Sequence, residues 1–172
     1  MPWKKRLRRN VTSFDPHGPQ RPRHAVTVAA VVERDGRFLI VEEDVRGVAR
    51  LNQPAGHVES GECLLDALVR ETREETGWRV RPSGLVAIYQ WFDPASARDV
   101  LRFTFVAEAL GLIDGATLDV GIIRTHWLSR DELLAHATPA RTPLVLRSID
   151  DYARGQITSL ALVAHHQTLV GD

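Results

Sequence analysis

The chain has one cysteine in 172 residues, Cys63. A disulfide within the chain is therefore excluded, and no set of thiolates exists for a zinc site. A single thiol suits a reducing compartment, so the expected location is the cytoplasm. No apolar run approaches the roughly 20 residues that a helix needs to cross a bilayer, so no membrane partner is expected. The basic start is not followed by an apolar stretch, and no signal peptide is expected. Charge of one sign is not in excess either: 22 Lys and Arg face 22 Asp and Glu. Without a net field, nothing global draws the chain to nucleic acid. Internal repeats and low-complexity segments are also absent. What remains is ordinary globular material, 44% hydrophobic and 26% charged, enough for one domain with a sizeable core.

Residues 1–23 differ from the rest. Lys4, Lys5, Arg6, Arg8 and Arg9 cluster there, and Pro2, Pro16, Pro19 and Pro22 interrupt any regular element. This reads as a flexible basic arm, solubilising or part of a subunit contact. Weak phosphate or nucleic-acid contact is the other reading, but no aromatic platform accompanies the charge. The domain proper is expected over residues 24–172, as a monomer or homodimer. His24 to Val32 reads as a buried strand, Asp35-Gly36 as a hairpin turn, and Arg37 to Glu43 as the returning strand. Val45 to Arg50 reads as a loop and Leu51 to Pro54 as a short extended entry. Further strands are expected at Gly84 to Phe92, Asp99 to Leu110 and Ile122 to Leu128. Gly111 to Val120 reads as a loop. Ser129 and Glu132 form a capping box that opens a short helix. Thr142 and Pro143 start a second helix that ends near Gly155. Ile157 to Val163 has an extended pattern. Strands, one helix, more strands and late helices make an α+β fold.

The organising stretch is Gly56 to Trp78, GHVESGECLLDALVRETREETGW. Ser60 is a plausible N-cap and Gly77 a natural terminator. At about 100° per residue, Leu65, Leu68, Val69 and Thr72 make the core stripe. Glu71, Glu74 and Glu75 share another side, with small Ala67 and Cys63 near them leaving room for a ligand. Carboxylates at i, i+3 and i+4 repel by roughly 0.2–0.5 kcal/mol per pair on an exposed helix. A divalent cation would reverse that sign, because hard cations take oxygen ligands. A solvated, salt-bridged surface helix is the alternative for the three glutamates alone.

Gly56, Glu62, Arg70, Glu71, Glu74, Glu75 and Gly77 together match the Nudix box without a spacing error, and over these 23 residues the chain resembles the Nudix hydrolases. The resemblance implies an α/β/α sandwich with a mixed sheet and a loop-helix catalytic motif. It also implies Mg²⁺, with Mn²⁺ as a substitute, and hydrolysis of phosphoanhydride bonds by water attack at phosphorus. Asn52-Gln53-Pro54-Ala55, Tyr89-Gln90-Trp91, Leu101-Arg102-Phe103 and Arg141-Thr142-Pro143 resemble one bacterial phosphatase branch of that family. That branch implies nucleoside tri- and diphosphates and hydroxymethylpyrimidine pyrophosphate as substrates, with release of phosphate.

Carried over from the family, Glu74 and Glu75 are metal ligands with the Gly56 carbonyl beside them. Glu71 is the base or a further ligand, Arg70 orients the carboxylates, and Glu62 pairs with Arg70 or joins a metal's outer sphere. Glu108 and Asp119 are candidates for an acid outside the box. Gln53 and Gln90 could bond a ring edge, and Trp91 with Phe92 could stack on it. Arg102 could bind phosphate or pair with Glu42 or Glu43. Arg141, just before a helix, could bind phosphate or make a structural ion pair. His57 reads as a turn residue or a phosphate contact. Within the same chemistry an ADP-ribose or dinucleotide pyrophosphatase is the alternative, and a Nudix-fold binding domain without turnover is another.

Overall fold

The computed structural model describes residues 24–94 and 96–166. The reading of residues 1–23 as an arm lies outside them. Eight strands and three α-helices follow the order β1 Ala25–Val31, β2 Glu33–Arg34, β3 Arg37–Val45, β4 Val48–Asn52, β5 Ala55–His57, α1 Leu64–Thr76, β6 Trp78–Asp93, β7 Arg98–Leu112, β8 Ile122–Leu128, α2 Arg130–Ala135 and α3 Leu144–Ala153. A short 3₁₀ turn, Leu160–Leu162, closes the described chain. The fold is α+β, as the order of elements implied.

The strands form two sheets. One has the order β5-β1-β7-β6 and is mixed, because β1 runs parallel to β7 while its other pairings are antiparallel. The other is antiparallel, with β3 central between β4 and β8 and β2 paired to its start. Alternation along β1 separates two cores. Val28, Ala30 and Val32 pack with Leu39, Phe105 and the α1 residues Ala67 and Leu68. Val31 packs with Phe38, Ile40, Leu51 and the α3 residues Val145 and Ile149. Helices thus cover opposite faces, and the junction of the two sheets lies between them.

Several local expectations hold. Asp35 and Gly36 both take left-handed backbone angles in the β2-β3 hairpin. Ser129 and Glu132 form the reciprocal capping box. Gly77 ends α1 at φ 72°, and its N–H donates to the Arg73 carbonyl.

Others are corrected. The residues from Val45 to Arg50 are a tight hairpin rather than a loop. Arg46 and Gly47 form its turn with φ 57° and 83°, and the Gly47 N–H donates to Asp44 Oδ1 at 2.5 Å. β6 starts at Trp78, six residues before the expected Gly84, and pairs along β7 through register shifts that absorb Pro82. β7 accordingly continues to Leu112. Of the expected extended tail, Thr158 bridges Leu85 and the rest turns into the 3₁₀ element. Ser60 does not cap α1. The helix starts at Leu64, and Cys63 is its N-cap without a side-chain bond. The preceding turn consumes the local polar groups instead, with the Glu59 N–H donating to Glu62 Oε2 at 3.0 Å.

Candidate active site

Helix α1 carries the acidic stripe on its inner side, not on a separate exposed face. Ala67, Leu68, Thr72, Glu75 and Thr76 are its buried residues. Ala67 is fully buried in the core and leaves no ligand space. Glu75 is only 9% exposed, which excludes the solvated surface helix as an account of this carboxylate. Its position follows from the helical arc. Glu75 lies one turn beyond Glu71 and within about 20° of Leu68, so the core stripe carries it inward.

Strand β5 provides the opposing wall. Gly56 pairs with Val28 of β1, and the Glu71 carboxylate sits directly over it. A Cβ at Gly56 would overlap the Glu71 carboxyl carbon and both its oxygens. Glycine is therefore required here by close approach rather than by backbone angle. The neighbouring Ala55 N–H donates to Glu75 Oε2 at 2.8 Å. Gly56→Ala is expected to displace Glu71 and cut turnover by about 10²-fold, the order that a 1 Å misplacement costs. Steady-state kinetics, with circular dichroism to verify the fold, would check this.

Arg70 is the hub of the carboxylates. Its Nε donates to Glu62 Oε1 at 2.7 Å and its Nη2 to Glu62 Oε2 at 2.9 Å, a bidentate pair. Nη1 donates to Glu71 Oε1 at 2.8 Å and Glu74 Oε2 at 3.1 Å. Nη2 also reaches the His57 carbonyl at 3.0 Å. These bonds hold the Glu62 carboxyl down to a pKa of about 2 and raise that of Arg70. Of the two roles open to Glu62, the geometry shows the Arg70 pair. His57 is the last residue of β5, paired with Thr27, rather than a turn residue, and its carbonyl, not its ring, enters the network.

Glu71 and Glu75 shift the other way. Burial raises Glu71, with Glu74 and Asp119 adding to the effect against Arg70. Glu75 is pushed up to about 8, first by burial and then by the charges of Glu43 and Glu71. Of the two acids outside the box, Asp119 stands near Glu71, and its N–H donates to the Glu74 carbonyl at 2.9 Å. Glu108 is excluded from the cluster. It pairs with Arg81 at 2.5 Å on the exposed sheet surface. It also lies five residues along β7 from Phe103, which pairs with the Gly56 partner Val28. That is roughly 16 Å at 3.3 Å per residue.

Behind Glu75 lies a second polar layer. Arg102 is 6% exposed and donates from Nη2 to Gln53 Oε1 at 3.0 Å. It pairs with neither Glu42 nor Glu43 through a hydrogen bond. Burial and Arg141 bring its pKa down to about 10. Gln53 is 1% exposed, and its Oε1 also accepts from Ser148 Oγ of α3 at 2.9 Å. Its ring-edge role is thus replaced by an interior one, holding Arg102. Arg141 donates from Nη1 to Glu43 Oε2 at 2.6 Å, the structural ion pair of its two readings. Gln90 and Trp91 point to opposite faces of β6. Tyr89 pairs with Arg102 and Trp91 with Val100, so Trp91 shares the Arg102 face while Gln90 is exposed on the α1 side. Phe92, also directed to that side, is 56% exposed. His165 and His166 are exposed near the end of the described residues.

Sequence reading missed Glu43 as part of this site. The signal was its place in β3, since it alternates with Val41 on the face of buried Leu39.

A half-buried carboxylate backed by glycine, a second one buried beside it and an arginine hub are what a phosphoanhydride-hydrolase type of site requires. The NUDIX domain family matches residues 21–148, and the chain belongs to this family as a Nudix hydrolase. It is 39% identical over 150 residues to the phosphatase NudJ of Escherichia coli strain K12, covering 87% of this chain and 92% of that protein. A NUDIX hydrolase structure from Nitrosomonas europaea is 42% identical with a TM-score of 0.81, covering 84% of this chain and 98% of that one. An ADP-ribose pyrophosphatase structure from Streptococcus suis shares the fold at 20% identity and TM-score 0.59, covering 76% and 92%.

Nudix hydrolases generally use a divalent metal, and the residues present suit one. Among the described residues no three acidic, His or Cys side chains form a ready-made cage; Arg70 holds Glu71 and Glu74 by their oxygens. The donor set is nonetheless all oxygen and carries more buried negative charge than Arg70 answers. Glu75 in particular has a backbone N–H as its hydrogen-bond donor rather than a cation. Hard divalent cations fit such a set.

Proposed function

We propose that this chain hydrolyses nucleoside tri- and diphosphates and organic pyrophosphates such as hydroxymethylpyrimidine pyrophosphate, with Mg²⁺ or Mn²⁺, and releases phosphate. The observation that carries it is the acidic set on α1: Glu71 against Gly56, Glu71 and Glu74 held by Arg70, and Glu75 held by the Ala55 N–H. The 39% identity to the phosphatase NudJ supports phosphatase over pyrophosphatase chemistry.

Glu74 and Glu75 would hold the cation, with the Gly56 carbonyl beside them. When bound, it supplies positive charge against the phosphates and acidifies water. Glu71 is the base: burial lifts its proton affinity above that of a free carboxylate, which favours taking a proton from water. Asp119 keeps that affinity high. Arg70 orients the carboxylates without touching substrate, and Glu62 fixes Arg70. Arg141 keeps its pair with Glu43, and its side chain, 45% exposed, would also offer positive charge to a phosphate, while buried Arg102 adds positive field from behind. Trp91 offers a ring face on the Arg102 side for a base or pyrimidine.

The test is a panel of nucleoside tri- and diphosphates, hydroxymethylpyrimidine pyrophosphate, ADP-ribose and a dinucleoside polyphosphate, with Mg²⁺ and with Mn²⁺. Orthophosphate from the nucleoside tri- and diphosphates and from hydroxymethylpyrimidine pyrophosphate, without added pyrophosphatase and lost in Glu74→Gln, is expected. Turnover confined to ADP-ribose or the dinucleotide would move the substrate assignment. No turnover at all would favour a binding domain.

A further inference from the structure

We propose that Glu43, supplied by β3 from outside the box, is a further carboxylate of the divalent-cation site, with Arg141 fixing its orientation. This rests on the metal-dependent reading above and extends it to a residue the box does not contain.

Glu43 is 8% exposed. One of its oxygens is bound by Arg141 at 2.6 Å. The other, Oε1, is buried with no hydrogen-bond partner. A buried carboxylate oxygen left without a donor forfeits the hydration it gave up on folding and gets nothing in return. Such an atom calls for a proton donor, a water or a cation.

Its surroundings favour the cation. The strand places Glu43 on the same face as Asn52, which lies opposite Val41 in the register, and the Asn52 Oδ1 is likewise buried and unpartnered. Two unanswered oxygen acceptors therefore flank one face of the β3-β4 pair. Glu43 alternates along β3 with Leu39, which packs against Ala67 and Leu68 of α1, and Asn52 lies three residues before Ala55, whose N–H donates to Glu75, so Glu43 and the box glutamates approach from separate elements. Arg141 is anchored by its own backbone, its N–H donating to the Leu51 carbonyl at 2.7 Å. It therefore restrains one Glu43 oxygen and leaves the other free to ligate. A guanidinium holding one carboxylate oxygen is the kind of outer support that orients a metal ligand.

Mn²⁺ binding by calorimetry, on the full chain without substrate, tests this. Wild type is expected to bind. Glu43→Gln and Glu74→Gln are both expected to bind roughly tenfold more weakly or worse, with circular dichroism unchanged. Wild-type affinity in Glu43→Gln beside a weakened Glu74→Gln would overturn the role of Glu43 and leave the box site standing. No Mn²⁺ binding by wild type would overturn both. If Glu43→Gln does not fold, Glu43→Asp takes its place: it keeps the charge and draws the oxygens back by one methylene. Weaker binding is expected there too, and undiminished binding would overturn the proposal.

Discussion

Glu75→Gln is expected to lower kcat/KM by about 10³-fold while making the metal-free protein more stable above neutral pH. The activity loss follows from removing one anionic oxygen donor from the cation's set, which sacrifices several kcal/mol of charge stabilisation at about 1.4 kcal/mol per factor of ten. The stability gain has a different origin. Glu75 is nearly buried, and its folded-state pKa of about 8 lies above the ordinary 4.5. A group raised in this way contributes stability that is fully present below about 4.5 and is lost as pH rises to about 8. Glu71, also raised by burial, adds a slope of the same sign. The metal-free wild type should therefore melt at progressively lower temperature from about pH 5 to pH 8, by an amount on the order of a few kcal/mol. Glu62 sets the opposite limb. Its pKa of about 2 means that its contribution is present above 4.5 and lost as pH falls toward 2. Glutamine at position 75 removes the larger, Glu75 part of the alkaline slope, leaves the Glu71 part, and keeps the acid limb. Adding Mg²⁺ or Mn²⁺ should raise the wild-type melting temperature most at pH 8, where the Glu75 carboxylate is most ionised within this range, and barely move the variant. Thermal melts at four pH values, with and without metal, check each part. A wild-type curve that is flat in pH would contradict the buried-carboxylate account.

Arg70→Ala should be the most destabilising single change at the site, by roughly 3–5 kcal/mol, or about 10 °C in melting temperature for a chain of this size. Removing the guanidinium leaves Glu62, Glu71 and Glu74 without the donor they share. These are not solvent-screened surface pairs: side-chain exposures are 22% for Arg70, 16% for Glu62 and 13% for Glu71. Turnover should fall by at least about 10²-fold as well, because Glu71 loses the bond that sets its position against Gly56. Arg70→Lys tells charge from geometry. A lysine ammonium can answer the local charge but cannot reproduce a planar fork that serves Glu62, Glu71, Glu74 and the His57 carbonyl together. It should recover part of the melting temperature and little of the activity. Full recovery of activity by lysine would reduce Arg70 to a charge and remove its orienting role.

The division between sequence and structure follows the range of the interactions involved. Local chemistry was legible in the chain. The Asp35-Gly36 turn, the Ser129–Glu132 capping box and the Gly77 terminator are fixed by residues within four positions of one another. The spacing from Gly56 to Gly77 identified the family before any contact was known, because the backbone geometry of one helix forces Glu71 and Glu75 onto one side. The start of α1 escaped this reading, since Ser60 has the right chemistry for a cap but the Glu59–Glu62 turn takes its place. The Arg46-Gly47 turn escaped as well, because it lacks the usual Asn-Gly or Asp-Gly pair.

Long-range pairing decided the rest. Sequence could not place Glu75 in the interior, because an i, i+3, i+4 acidic stripe looks the same whether a sheet covers it or water does. Nor could it choose partners for Arg102 and Arg141. Gln53 lies 49 residues from Arg102 and Glu43 lies 98 from Arg141, distances that only the β1-β7 and β3-β4 pairings bridge. It likewise offered Glu108 and Asp119 as equals, until the β6-β7 register carried one to the exposed sheet and the turn before β8 brought the other beside Glu71. The sequence by itself determined the helix, its charges and the family. Only the tertiary structure decided which charges are buried together, because desolvation and cross-strand proximity are properties of the packed chain and not of any segment within it.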